Sequence, residues 1–82
     1  MSRRYDSPVE CRSDAAGRPI QFRWRGKLYR VAEVLDWWIE VGEWWSGEPE
    51  TVWYRVQTHD RGVFELYRPT EGSEWRLWKV VD

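Results

Sequence analysis

Cysteine and histidine are almost missing from this chain. The one cysteine, Cys11, cannot close an internal disulfide, and the one histidine, His59, leaves no ligand set for a metal ion. No apolar run approaches the roughly 20 residues that a membrane-spanning helix needs. No apolar stretch follows Arg3-Arg4, so a secretory leader is not expected. The glycines at 17, 26, 42, 47, 62 and 72 stand singly, so there is no glycine-rich phosphate loop. By default these absences lead to the expectation of a cytoplasmic protein that does not engage a membrane.

Chemistry is equally thin. An enzyme needs a nucleophile, a base or a metal held in a cleft. Cys11 reads as a small inward-facing hydrophobe on an edge strand. His59, beside Asp60, reads as a solvated turn residue. Asp36, Glu40 and Glu43 lie close in sequence and read as a solvated acidic face rather than a carboxylate pair. The expectation is a chain without catalysis, cofactor or metal.

Tryptophan is the opposite case. The 82 residues hold eight Trp, with four Tyr and two Phe. Six of the Trp form near pairs: Trp37-Trp38, Trp44-Trp45, and Trp75 with Trp78. Each can bury roughly 150–250 Å², whereas a domain this short hides only about 60% of its unfolded surface. Part of the aromatic surface is therefore expected to be exposed, and exposed aromatic surface usually means a partner.

The net charge of −1 conceals an asymmetry. Residues 1–30 carry eight basic and three acidic side chains, whereas residues 31–82 carry five and eleven. Residues 33–50 hold six acids (Glu33, Asp36, Glu40, Glu43, Glu48, Glu50) and no base. Two readings follow. The halves form different surfaces, or a basic strand pairs with an acidic one.

The patterning is β. Residues 1–7 read as a flexible arm and residues 8–82 as one small domain. Pro8 to Arg12 reads as a short strand with Val9 and Cys11 on one face. Ile20, Phe22 and Trp24 alternate with Gln21, Arg23 and Arg25, the period of a strand with one buried face. Arg25-Gly26-Lys27 reads as a tight hairpin turn. Residues 31–41 are ambiguous: Val31, Val34, Leu35 and Trp38 have helical spacing, yet β-branched and aromatic residues abound and no good N-cap precedes them. A long strand bent near Leu35-Asp36 is favoured, with a helix as the alternative. Val52, Tyr54 and Val56 alternate with Trp53, Arg55 and Gln57, Val63–Arg68 follows as a strand, and Trp75–Val81 closes the chain. The expected fold is all-β: an antiparallel meander of five to six strands curled into a barrel or half-barrel. The expected core is Ile20, Phe22, Trp24, Val31, Val56, Phe64, Leu66 and Leu77.

Two binding surfaces are legible. Arg23, Arg25, Lys27, Tyr29 and Arg30 interleave cations and rings on one hairpin, a combination that can hold single-stranded nucleic acid. The near-neutral net charge makes any such binding weak. Trp37, Trp38, Glu40, Glu43, Trp44 and Trp45 form an aromatic, acidic segment that would repel phosphate. It suits a protein partner with a basic rim. Neighbouring strand residues point to opposite faces, so Trp37 and Trp38 cannot both enter one core unless the strand is bulged.

Beyond these local readings, several motifs resemble a known family. They are Arg3-Arg4-Tyr5, Pro8-Val9-Glu10, Phe22 to Val31, Glu33-Val34-Leu35, Gly42-Glu43-Trp44-Trp45, Trp53-Tyr54-Arg55-Val56, Gly62 to Leu66 and Trp75-Arg76-Leu77. Together they resemble a small bacterial family of unknown function, known chiefly from actinobacteria. The hairpin, the Trp-Trp pair and the final Trp strand also resemble the C-terminal segment of the catalytically inactive Y-family-polymerase-like subunit of the bacterial mutasome. That resemblance implies a link to DNA-damage tolerance and assigns no catalytic residue.

Overall fold

The computed structural model describes residues 3–81, apart from the side chains of Arg3 and Trp44. Seven antiparallel strands follow in chain order: β1 (Arg3–Pro8), β2 (Glu10–Ser13), β3 (Pro19–Trp24), β4 (Lys27–Glu40), β5 (Thr51–Thr58), β6 (Val63–Pro69) and β7 (Arg76–Val81). A short 3₁₀ turn, Trp44–Ser46, lies between β4 and β5. The sheet order is β1-β7-β6-β5-β4-β3-β2. From β2 to β7 each strand therefore pairs with its chain neighbour, as a meander requires. Among the described residues no helix is long and apolar enough to cross a membrane.

The sheet curls into a half-barrel, and the chain itself shows why. β1 and β2 are the two edges of the sheet, yet only Val9 separates them in sequence. A flat sheet would hold its edges far apart, so the curl must bring them together at Val9. The Val9 amide donates to the Trp75 carbonyl at 3.1 Å, which fixes this crossing point. The N-terminal segment expected as an arm thus supplies a strand: Arg3 pairs with Val80 and Pro8 with Arg76. Asp6, at φ 47°, sits where the register shifts between Arg4 and Ser7. Its carboxylate accepts hydrogen bonds from the Tyr67 hydroxyl at 2.6 Å and from Arg76 Nε at 3.0 Å.

The core lies inside the curl. Phe22, Trp24, Val52, Tyr54, Val56, Phe64, Leu66, Trp75 and Leu77 are buried. Rings from the two walls meet edge to face, as with Phe22 and Phe64 at 5.3 Å and Tyr29 and Phe64 at 4.9 Å. The Arg25-Gly26 turn has φ of 52° and 77°. Two successive positive φ values mark the type I′ geometry that matches strand twist.

Ile20 is a correction to the expected core, because it is 42% exposed while Pro19 is buried. The pairing of β2 with β3 shifts register between Arg12 and Ser13, so that Ser13 faces Pro19. One extra residue in β3 reverses the alternation there, as a bulge does. Val31 is half-buried and packs against the core rather than within it.

β4 is one strand of 14 residues rather than a helix, and a register shift falls at Leu35, where a bulge bends a strand. Its register against β5 shifts twice, between Val31 and Glu33 and between Val34 and Asp36. These bulges produce the helix-like spacing of its apolar residues. Val31 faces Thr58 and Val34 faces Val56, so three steps along β4 match two along β5. Both valines therefore share the core face.

A candidate docking surface on the bent strand

β4 serves two partners with its two halves. Its first half, Lys27–Arg30, pairs with β3. Its second half, from Val31 to Glu40, pairs with β5. Beyond Arg30 no strand pairs with the opposite side of β4 among the described residues. The second half is thus an open sheet edge.

Strand alternation divides the aromatic pair on this half. Trp37 faces Tyr54 and Ile39 faces Val52, so both stand on the core side of the sheet. Yet Trp37 is 58% exposed and Ile39 50%, because β3 has ended and leaves that side of the curl uncovered. Leu35, Val41 and Trp45 are also exposed. Trp38 faces Trp53 on the outer side. There it is half-buried in a ring stack that continues across the strands. Trp38 and Trp53 are parallel with centroids 6.0 Å apart, Trp53 and Tyr67 stack at 4.3 Å, and Trp78 meets Trp53 edge-on at 5.8 Å. Trp38, Trp53 and Tyr67 present their faces to one another, and Trp78 packs edge-on against Trp53. In the sequence the outward alternation of Trp53 marked this stack, but its partners on three other strands follow only from register.

Acids surround the open edge. Glu33, Asp36, Glu40, Glu43, Glu48 and Glu50 are exposed. Asp36 faces Arg55, whereas Glu33 faces Gln57 and Glu40 faces Thr51, so pairing with β5 neutralises little of this charge. Of the two readings of the charge asymmetry, distinct surfaces is the one realised here. The loop after β4 folds on itself: Glu43 N–H donates to Glu48 Oε2 at 3.2 Å and Ser46 N–H to the Glu43 carbonyl at 2.9 Å. Gly42 makes this possible. A Cβ there would lie 2.7 Å from the carbonyl oxygens of Glu48 and Pro49. Trp44 belongs to this loop, but its side chain lies outside the described part of the structure.

The basic hairpin is dispersed by comparison. Arg23 and Arg30 are exposed. The Arg25 guanidinium lies 4.7 Å from the ring centroids of both Trp24 and Tyr5. Lys27 Nζ is 3.1 Å from Asp60 and 4.8 Å from the Tyr29 ring. The Lys27 ammonium is held above its ordinary pKa by the hydrogen bond and charge of Asp60. Tyr29 stacks on Phe22 at 5.1 Å as part of the core wall. The five residues therefore do not converge on one face.

One charged cluster escaped the sequence reading altogether. Glu65 is 3% exposed and accepts from Arg55 Nε at 2.9 Å and Arg55 Nη2 at 2.7 Å, with Lys79 Nζ 3.8 Å away. These residues are direct cross-strand partners, Arg55 with Glu65 and Glu65 with Lys79. A buried carboxylate with two cations is a satisfied structural pair rather than an open site. Cys11 is half-buried, and burial pushes its thiol pKa up to about 12. A thiol in that state is a poor nucleophile. Among the described residues no group of three His, Cys, Asp or Glu lies together as metal ligands.

No curated protein and no solved structure matches this chain. A family model matches it over residues 1–82, its full length, and the chain belongs to that family, described as Domain of unknown function (DUF6504).

Proposed function

We propose that this chain is a non-catalytic protein-interaction module, and that it docks its partner on the acidic, aromatic second half of β4. The observation that carries the reading is the exposure of Trp37 and Ile39 on the core side of the sheet. Large apolar side chains facing inward yet uncovered mark a surface that something else completes. A Trp is the kind of anchor that dominates interface energetics, and the surrounding acids favour and steer a basic partner. Trp38, Glu40, Glu43, Trp44 and Trp45 belong to the same segment. The resemblance to the C-terminal segment of the mutasome subunit extends the proposal to damage tolerance in a bacterial cytoplasm.

Single-stranded nucleic acid is the second reading, favoured only by the exposure of Arg23 and Arg30. Arg25 and Lys27 are already occupied by rings and by Asp60, and Tyr29 by the core. Binding through this hairpin would be weak and steeply salt-dependent.

Affinity capture from the native host, with the wild-type chain beside a Trp37→Ser/Ile39→Ser variant, tests the proposal. The wild type should retain a stoichiometric protein after nuclease treatment, and the variant should lose it at an unchanged melting midpoint. Capture that disappears with nuclease, or that the double substitution leaves intact, would overturn it.

A further inference from the structure

We infer that the open edge of β4 takes an extended peptide as an added strand, one in which apolar residues alternate with basic ones. This rests on the interaction-module reading and specifies its partner. The backbone supplies the first argument. The Trp37 N–H is held by the Asp36 carboxylate at 2.8 Å, so it points away from β5. In a strand, residues two apart direct their backbone groups to the same side. The N–H and C=O groups of Trp37 and Ile39 therefore both address the open side, where an added strand would take the place of the Asp36 carboxylate on the Trp37 N–H.

The side chains supply the second. Beside Trp37 lies an open recess of about 450 Å³, lined by Ala16, Arg18, Trp37 and Tyr54. Every second residue of an added strand would point into this space, against Trp37 and Ile39, and should be apolar. Arg18 does not make the recess a site for acids, because its guanidinium is paired with Asp14 at 3.2 Å. The intervening residues would stand on the outer face beside Asp36, Trp38 and Glu40, where opposite charges on neighbouring strands attract.

Charge also decides against a second copy of this chain. Two β4 edges paired antiparallel about a two-fold axis at Trp38, the register that sets Trp37 against Ile39, would place Asp36 against Glu40 of the copy. Like charges in that position destabilise a sheet.

The probe is a capped synthetic peptide alternating Lys and Val over about ten residues, the upper end of usual strand lengths. Two further peptides carry N-methyl groups on all Val or on all Lys, and each removes the backbone donors along one side. Titration of the full chain at low salt, followed by tryptophan fluorescence and calorimetry, should show saturable binding of the parent. One N-methylated peptide should bind about tenfold more weakly or worse, and the other close to the parent. The Trp37→Ser/Ile39→Ser variant should lose the parent to a similar degree. If the parent does not bind, strand addition fails, and host capture still judges the module reading. If both N-methylated peptides match the parent, charge alone drives association; strand addition fails while the acidic surface stands. If the double variant binds normally, the surface itself is misplaced and both readings fail. A dimer in sedimentation that this variant dissolves would put a second copy on the edge and overturn the inference.

Discussion

Trp37 and Trp38 are neighbours in the chain and opposites in the fold. Trp38 turns to the outer face, where water would be expected, and is half-buried by a ring stack running from Trp53 to Tyr67 and Trp78. Trp37 turns to the core face, where cover would be expected, and stands more than half exposed. The contrast shows that facing a core and being in it are different conditions. Alternation decides which way a side chain points. Only the extent of the neighbouring strands decides whether anything meets it there.

Three sets of measurements put this contrast to the test. The largest effect belongs to Trp24, which is both core-facing and covered. Trp24→Ala should cost about 3–5 kcal/mol, the usual range for a large buried aromatic. Since small domains carry about 5–15 kcal/mol in all, the variant should be barely folded at ambient temperature in a denaturant titration. An unchanged midpoint would mean that the wall of rings between Tyr5 and Phe64 does not carry the core.

Next comes the pair itself. Trp38→Ala removes one stacked partner and part of a buried indole, and should cost about 1–2 kcal/mol. Trp37→Ala should change stability by less than about 0.5 kcal/mol, as surface substitutions do. Parallel chemical melts of the two variants check the order. Equal losses would show that Trp37 is covered in solution and would withdraw it from the docking surface.

The smallest effect tests how the open part of the sheet differs from its tied edge. Asp6 clamps β1 to the far side, and hydrogen bonds from Tyr67 and then Arg76 hold its carboxyl below the ordinary range. A carboxyl with a depressed folded pKa stabilises above its unfolded value and loses that contribution as pH falls through the folded one. The clamp should therefore be intact at neutral pH and weaken progressively as pH falls below the ordinary carboxylate value of about 4. The group is half exposed, so its loss should amount to no more than about 1 kcal/mol. Asp14 and Asp60 are also held low, by bonds from Arg18 and Thr58 first, so acid acts on them as well. The readout must therefore be local. The protection of the Tyr5–Ser7 amides, taken relative to their intrinsic exchange at each pH, should fall on acidification, and Asp6→Asn should flatten that response.

Much of this fold was written in period-two patterns. The alternations in residues 20–25 and 51–58 and the Arg25-Gly26 turn named their strands, the core face and the hairpin. What they did not carry was any information about interruptions. Ile20 misled because a bulge reverses the alternation at the head of β3, and nothing in Pro19-Ile20 announces it. Val31 and Val34 looked helical because a bulge was hidden between them, and a second follows Val34. β1 looked like an arm because its pairing partner, β7, lies at the other end of the chain. The candidate surface was legible as composition, acids and indoles within residues 33–50. That Trp37 would stand uncovered depends on where β3 stops relative to β4, a relation between two strands that no local pattern states. Glu65 was invisible for the same reason, since its two cations reside on different strands.

The crossing at Val9 has a consequence for how the chain assembles. Every pairing from β2 to β7 joins strands next to each other in sequence and can form one hairpin at a time. β1 alone must find a partner at the far end of the chain, with Arg3 meeting Val80. The entropic cost of closing a loop grows only with the logarithm of its length. Even so, contacts of long sequence separation are the ones that slow folding. The half-barrel is thus a local meander sealed by one distant contact. A permuted chain with its ends joined would turn that contact into one more hairpin, leaving a molecule with the same walls but no long search to complete them.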